Sequence, residues 1–426
     1  MPREFTDYVP LADALDVLKR NVTAIPRREL VPVAESFGRV LFEDVVSKVD
    51  VPQADSSHMD GFALRSSDVA EATPENPVRL TMMAGSPLGE IPKVRVRKGE
   101  AHRVLTGGYV PQGADSVVQV ERVLEDEKSR TVTITSPVER GDFVFPRGRD
   151  MRRGELVLEK GRTIGGSDLV LLASLHADRV VVCKRPRVAV IPTGNELSSR
   201  IRDTEPGKVV ETHSLLLARL IEEAGGLPVL LPIVRDDLEE IAQSVRRGLG
   251  TADVVLTLAG SSVGEPDLTE KAVARSGKPG VLVHGMKVFR GRVMGFGAVD
   301  GKAIVILPGP IQGAVNAFAL MAYPVIRSFL GRGFEEPPSV PAIASAGWDA
   351  GPRYPNFTKL VYCRLDARGD RLTAEPSKGE TEKITHLTEN QGYILVGEDK
   401  VAIRKGEPVR VYLLPGLSSS PFLDQR

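Results

Sequence analysis

Three short segments place acids where chemistry can use them. Thr193-Gly194-Asn195-Glu196 follows the apolar run at 188–192, and Arg235-Asp236-Asp237 follows 228–234. Ser261-Ser262-Val263-Gly264-Glu265-Pro266-Asp267 follows the run at 253–260. If these runs are parallel strands, Glu196, Asp236 and Asp267 converge on one sheet edge, where carboxylates hold a hard cation through oxygen. The glycines and hydroxyls of 260–264 offer backbone N–H groups to an anion. Each feature also has a structural reading. Asp267 and Glu270 form a capping box, Asp236 and Asp237 both suit a helix start, and Glu196 suits a first helical turn. The coincidence of three acids at one edge favours the cation site.

A second concentration is Asp55-Ser56-Ser57-His58-Met59-Asp60-Gly61-Phe62-Ala63, with two acids, two hydroxyls and a histidine in nine residues. Ordinary turn chemistry accounts for such a run equally well. His58 and His213 are each compatible with a loop role or a ligand role. No glycine pattern matches a phosphate-binding P-loop or a dinucleotide fingerprint, which argues against a standard NTPase or dehydrogenase. Cys183 and Cys363 are too far apart in sequence for a zinc motif and form no disulfide framework.

Leu11, Ala14, Leu15 and Leu18 recur at helical spacing. Residues 50–145 alternate short β-branched runs with Gly, Pro and Asp, as a β-rich insert does. Residues 150–182 return to a helical pattern through Leu169, Leu172 and Leu175. From Arg187 to about Leu330, short apolar runs alternate with amphipathic helices, the pattern of βαβ units around a mostly parallel sheet. Pro-rich 335–341 reads as a linker, and short alternating strands follow. The expected fold is multidomain α/β plus β. It comprises a helical linker domain (1–50 and 146–185), a β-rich insert (51–145), an α/β domain (186–334) and a small C-terminal β-barrel (335–426).

The 426 residues carry 56 basic and 56 acidic side chains, so formal net charge is zero. That excludes a generic nucleic-acid or membrane-surface binder, which needs a basic excess. No apolar run reaches the roughly 18–20 residues that span a bilayer. The opening MPREFTDYVP lacks the apolar stretch of a secretory signal, so a reducing, cytoplasmic setting is expected. Scarce Asn and Gln, six and seven, hint at a thermophilic source.

Ser57-His58-Met59-Asp60-Gly61-Phe62-Ala63, Thr106-Gly107-Gly108 and Pro111-Gln112-Gly113-Ala114-Asp115 resemble the molybdopterin molybdenumtransferase family, of which the carboxyl-terminal domain of gephyrin is one type. So do Arg147-Gly148-Arg149-Asp150-Met151 with Gly154-Glu155, Pro192-Thr193-Gly194-Asn195-Glu196-Leu197, and Ser262-Val263-Gly264-Glu265-Pro266-Asp267. The resemblance runs along essentially the whole chain, with motifs in the family's order. It implies a homodimer that takes adenylylated molybdopterin and molybdate, inserts the metal with Mg²⁺ and releases AMP. It implies a site shared between the α/β domain of one subunit and the β domain of the other. Asp60, Asp150, Glu196, Asp236 and Asp267 match the family's acidic site positions, with Glu196, Asp236 and Asp267 as cation ligands. Ser57, Thr106, Thr193, Gly194, Ser261, Ser262, Gly264, Arg290, Arg292, Pro308 and Gly309 match its substrate-binding positions. Molybdopterin adenylyltransferase and molybdoenzymes are the expected partners.

The chain departs from the family where the anionic substrate should bind. The family's Lys-Pro-Gly-Lys/Arg-Pro is Phe289-Arg290-Gly291-Arg292-Val293, and its Pro-Gly-Asn-Pro is Pro308-Gly309-Pro310-Ile311. His213 stands where asparagine is common, and Lys378-Gly379-Glu380-Thr381 replaces a Gly-Ser-Gly stretch. Arg292 keeps one basic position, and Arg290 supplies a second guanidinium. Tungstate is an alternative to molybdate, being close in size and charge. A non-catalytic molybdopterin carrier or scaffold and a molybdopterin adenylyltransferase are the alternative functions. Drift in the two substrate loops suits the carrier, and the five retained acids suit the enzyme.

Overall fold

The computed structural model describes residues 8–202, 205–259, 268–351, 355–367, 371–377 and 383–413. Two compact units divide the chain. One holds the described residues up to Leu30, Gly38–Phe42 and those from Val181 onward; the other holds Val31–Phe37 and Glu43–Val180.

The first unit is built on a six-stranded sheet in the order Leu227–Leu230, Arg187–Pro192, Val254–Ala259, Lys302–Pro308, Gly295–Val299, Pro279–His284. The first four strands are parallel and the last two antiparallel. Both faces are covered, so the central strands are almost wholly apolar, and the buried Thr257 gives its hydroxyl to Val305 O at 3.4 Å. Val188, Val190, Val254, Leu256, Val305 and Leu307 face one core, and Ala189, Ile191, Val255, Ile304 and Ile306 face the other. Helices Leu238–Thr251 and Leu268–Arg275 cover the second face through Ile241, Val245, Ala272 and Val273. Helix His213–Glu223 and the helical stretch 311–329 cover the first. Within 311–329, residues Phe318–Ala322 widen into a π turn just ahead of Pro324, which has no N–H to give and would clash with the carbonyl one turn back.

The sequence grouping of 1–50 with 146–185 differs from this division. Helix Leu11–Asn21 puts its Leu11, Ala14 and Leu18 stripe into the core that holds Val283 and Phe296, on the antiparallel side of the six-stranded sheet. An amphipathic helix settles wherever an apolar face is left open, and here that face belongs to the α/β domain.

Strands Thr358–Asp366, Thr373–Pro376, Ser339–Ala344, Pro408–Leu413 and Gly392–Val396 close into a five-stranded barrel, the last pairing with the first. Val361, Cys363 and Leu365 point inside it. The alternate residues Leu360 and Tyr362 point out, into the α/β core. This explains the unbroken apolar run LVYC: the strand is buried on both sides. Strand Val288–Phe289, from the α/β domain, pairs with Thr358–Lys359 and joins the barrel's edge.

The second unit carries a mixed six-stranded sheet ordered Ser116–Gln119, Gly61–Leu64, Glu100–Val104, Val78–Met83, Thr131–Ile134, Val123–Asp126. Phe62, Leu64, Leu80, Val118, Val132 and Ile134 form its core. Gly61 sits where a Cβ would come within 1.9 Å of the Val118 carbonyl oxygen, so no other residue fits. Among the described residues no helix is long and apolar enough to cross a membrane.

Candidate functional site

In the α/β domain the strand order reverses at Arg187–Pro192. The chain steps to one side with Leu227–Leu230 and returns on the other with Val254–Ala259. Ligands of open α/β sheets bind beyond the carboxyl ends at such a reversal. The loops there are fastened to one another. Thr193 forms a bridge with Val234, and Gly194 N–H donates to Val234 O at 3.0 Å. Asn195 N–H donates to Asp236 Oδ2 at 3.0 Å, and Asp236 N–H to Asn195 Oδ1 at 3.3 Å. Lys208 Nζ caps the Asn195 carbonyl. The exposed carboxylate of Asp236 therefore lies beside the residue that precedes Glu196.

Two of the sequence ambiguities resolve here. Asp237, not Asp236, caps helix Leu238–Thr251: its Oδ1 accepts from Glu239 N–H and Glu240 N–H, both at 2.9 Å. Glu196 is in no helix. It is exposed and folds back over Gly194, where a Cβ would lie 2.6–2.7 Å from its two carboxylate oxygens. Thr193, by contrast, is buried, and its hydroxyl donates to Leu258 O at 2.6 Å, tying two strand ends together. Ser261, Ser262, Gly264 and Asp267 lie outside the described residues.

The two diverged segments are neighbours. His213 Nε2 lies 2.9 Å from Gly309 O. A carbonyl only accepts, so the proton is on Nε2. Burial holds the His213 pKa below its ordinary value, so the ring is neutral and clamps the Pro308-Gly309 turn. A Cβ on Gly313 would lie 2.9 Å from Pro308 Cβ and 3.7 Å from Arg290 O, so the turn and the 289–293 loop pack on the same helix face.

Arg290 opens into a cavity of about 590 Å³ between the α/β domain and the barrel. Phe289, Trp348, Tyr362 and His386 line it. Burial depresses the Arg290 pKa, with its guanidinium 5.4 Å from the Phe289 ring centroid and 3.5 Å from Gln312 Oε1. Burial also depresses His386, as does the Arg290 charge. Arg292 is exposed. The cavity thus offers a half-buried cation among aromatic rings, a setting that strengthens its pull on an anion. Sequence reasoning singled out Arg290 but passed over Gln312, Asn316 and Tyr362. The available signal was a lone Gln and a lone Asn inside the otherwise apolar stretch 311–326, exposed by only 2 % and 1 %.

In the β-rich unit, two motifs far apart in sequence meet. Ser57 N–H donates to Gly108 O and Gly107 N–H to Ser57 O, each at 2.8 Å. Asp60 Oδ1 accepts from Thr106 N–H at 2.6 Å and from Thr106 Oγ1 at 2.8 Å. These bonds hold the exposed Asp60 carboxyl below the usual carboxylate range. Ser57 turns its own hydroxyl to Met59 O at 2.6 Å in a local turn. The 147–151 segment is stapled by acids that sequence reasoning had not selected for it. Arg147 Nε donates to Asp50 Oδ2 at 2.6 Å, Arg153 N–H to Asp50 Oδ1, and Arg147 N–H to Asp55 Oδ1, the last two at 2.8 Å. Asp150 presents an exposed carboxylate on this segment, its N–H donating to Val51 O.

Among the described residues no cluster of three or more His, Cys, Asp or Glu side chains forms a metal site by itself. Glu196 and Asp236 are oxygen donors on adjoining loops, and the absence of a side chain at Gly194 leaves space for the Glu196 carboxylate. One or two carboxylates completed by water and substrate phosphate is the habit of Mg²⁺. The donor set fits that ion.

A family model described as the MoeA N-terminal region (domain I and II) matches residues 9–175, and one described as a probable molybdopterin binding domain matches 189–328. The fold and these two matches define a protein of molybdenum cofactor biosynthesis. The chain is 30% identical over 386 residues to molybdopterin molybdenumtransferase 2 of Mycobacterium tuberculosis, covering 90% of this chain and 94% of that protein. It is 28% identical over 389 residues to the molybdopterin molybdenumtransferase of Bacillus subtilis, covering 91% and 90%. The crystal structure of the molybdopterin biosynthesis MoeA protein of Pyrococcus horikoshii matches at a TM-score of 0.83 and 29% identity, over 96% of this chain and 100% of that one. The chain belongs to the molybdopterin molybdenumtransferase family of transferases.

Proposed function

We propose that this protein inserts molybdenum, or tungsten, from its oxyanion into adenylylated molybdopterin and releases AMP. The observation that carries this reading is the pair of fastened loops presenting Glu196 and Asp236 at the strand reversal of a molybdopterin-binding domain. Glu196 and Asp236 would hold Mg²⁺, with Asp267 as a third carboxylate, and the cation supplies charge neutralisation at the pyrophosphate. Water cleaves the phosphoanhydride, AMP leaves, and the pterin keeps its own phosphate. Metal insertion balances without an oxidant. The two dithiolene thiols give their protons to one oxo ligand, which leaves as water, and hexavalent metal gains two sulfur ligands.

The chain's residues divide the remaining work. Asp236 orients the Asn195–Glu196 loop through the Asn195 amide, and neutral His213 holds the Pro308-Gly309 turn beside it. Arg290, screened by Phe289 and Trp348, attracts the oxyanion, and exposed Arg292 is a second cation on the same loop. The reading includes a homodimer in which Asp60 of one subunit serves the carboxylate edge of the other. Molybdopterin adenylyltransferase would be the supplier and molybdoenzymes the acceptors.

Loss of the lysine at position 289 favours one second reading, a pterin carrier without catalysis. Incubating the purified protein with adenylylated molybdopterin, Mg²⁺ and either oxyanion separates the two. AMP release with multiple turnovers supports the transferase, and stoichiometric pterin binding without AMP supports the carrier.

A further inference from the structure

We infer that Asn316 and Tyr362 act as positioning residues for Arg290, a barrel side chain setting the geometry of an α/β loop through a buried amide. This rests on the reading that Arg290 meets the anionic substrate. Arg290 has φ +64°, a backbone conformation that L side chains rarely adopt. Such a backbone conformation costs energy in an arginine and persists only where surrounding contacts hold it.

The holding contacts are on view. Asn316 Nδ2 donates to Arg290 O at 3.0 Å, and Tyr362 OH donates to Asn316 Oδ1 at 2.9 Å. Asn316 is 1 % exposed and Tyr362 2 %. The directions are forced: the Arg290 carbonyl only accepts, so the Asn316 NH₂ faces it and the amide oxygen is left for the phenol. Burial pushes the Tyr362 phenol well above its ordinary pKa, which keeps it a donor at all working pH. On the other side of Arg290, Phe289 is fixed by its strand pairing with Lys359. With both flanks held, the guanidinium is directed into the cavity lined by Trp348, Tyr362 and His386.

A purely structural role would make the same two bonds, so the test must read coupling to Arg290. Molybdate alone is titrated calorimetrically into the full-length wild type and into Arg290→Ala, Tyr362→Phe, Asn316→Ala and the double variant Arg290→Ala/Tyr362→Phe. Thermal denaturation of each variant runs alongside. Tyr362→Phe removes one oxygen and keeps the ring, so it retains the fold even if Asn316→Ala does not. We expect Arg290→Ala to weaken binding at least about tenfold, and Tyr362→Phe to weaken it by about three- to tenfold, the worth of one hydrogen bond. The double variant should bind no more weakly than Arg290→Ala, because the relay has nothing left to position. Wild-type affinity in Tyr362→Phe, or losses that add in the double variant, overturns the inference while leaving the role of Arg290 intact. Unchanged affinity in Arg290→Ala, or no binding by wild type, instead overturns the assignment of Arg290 itself.

Discussion

Asp236 and Asp237 are adjacent acids of the same type, and the structure gives them separable tasks. Asp237 accepts two backbone N–H bonds at the start of helix Leu238–Thr251. Asp237→Ala removes both, at a cost of about 1 kcal/mol, with asparagine nearly neutral. For a unit of this size that lowers Tm by about 2–4 °C. Asp236→Asn keeps an oxygen to accept from Asn195 N–H, so stability stays within about 0.5 kcal/mol. It removes a full charge, however. Two unit charges about 4 Å apart interact by roughly 4 kcal/mol at an effective dielectric of 20. Asp236 is exposed, so solvent screens much of that. A loss of about 1.4 kcal/mol, tenfold, is a conservative expectation. Differential scanning calorimetry and AMP release against Mg²⁺ concentration read the two quantities separately. The expected outcome is a lowered Tm with normal Mg²⁺ dependence for Asp237→Ala, and at least a tenfold higher Mg²⁺ requirement at unchanged Tm for Asp236→Asn. The opposite pattern, with the cation requirement following Asp237, would refute the division.

Gly194→Ala should displace the Glu196 carboxylate, raising the Mg²⁺ requirement severalfold; an unchanged Mg²⁺ profile would mean Glu196 plays no part in holding the cation. Asp168, buried at the start of helix Gly166–Ser174, is held below its ordinary pKa by Arg162 and then by the Gly165 N–H. Its contribution, about 1.5–3 kcal/mol and nearer the lower value because Arg162 is half exposed, is therefore full above the unfolded carboxyl pKa near 4. It is lost as pH falls through the lower folded value; urea denaturation at pH 7 and pH 3 should show that drop in wild type and not in Asp168→Asn. Mixing Asp60→Asn with Asp267→Asn subunits should restore about a quarter of wild-type AMP release, because half the dimers are mixed and each has one intact site of two. No gain over the parents, with subunit exchange verified, would sink the shared site.

The repeating α/β segments were readable because each central strand is buried on both faces and the covering helices His213–Glu223, Leu238–Thr251 and Leu268–Arg275 are amphipathic, while the helical stretch 311–329 is largely apolar because it is buried nearly all round. Strands Pro279–His284 and Gly295–Val299 were not, because glycines break their apolar runs and their pairing is antiparallel. The pairing of Val288–Phe289 with Thr358–Lys359 joins residues about seventy apart, and no local pattern signals it. Within the site, residue type alone could not decide which of two consecutive aspartates caps a helix. Nor could it tell that the Thr193 hydroxyl turns inward to Leu258. The resemblance named Asp60 and Thr106 as separate candidates, and only the fold brings them into contact. The Asn316–Tyr362 relay lay hidden because both residues sit in segments that otherwise read as core.

AMP release and metal insertion should occur together at the carboxylate edge, a coupling tested by a single incubation with adenylylated molybdopterin, Mg²⁺ and molybdate that measures AMP by chromatography and pterin-bound molybdenum by elemental mass spectrometry. Equal amounts of both in wild type, and neither in Glu196→Gln, is the expected result. AMP without pterin-bound metal, or undiminished activity in Glu196→Gln, would contradict it.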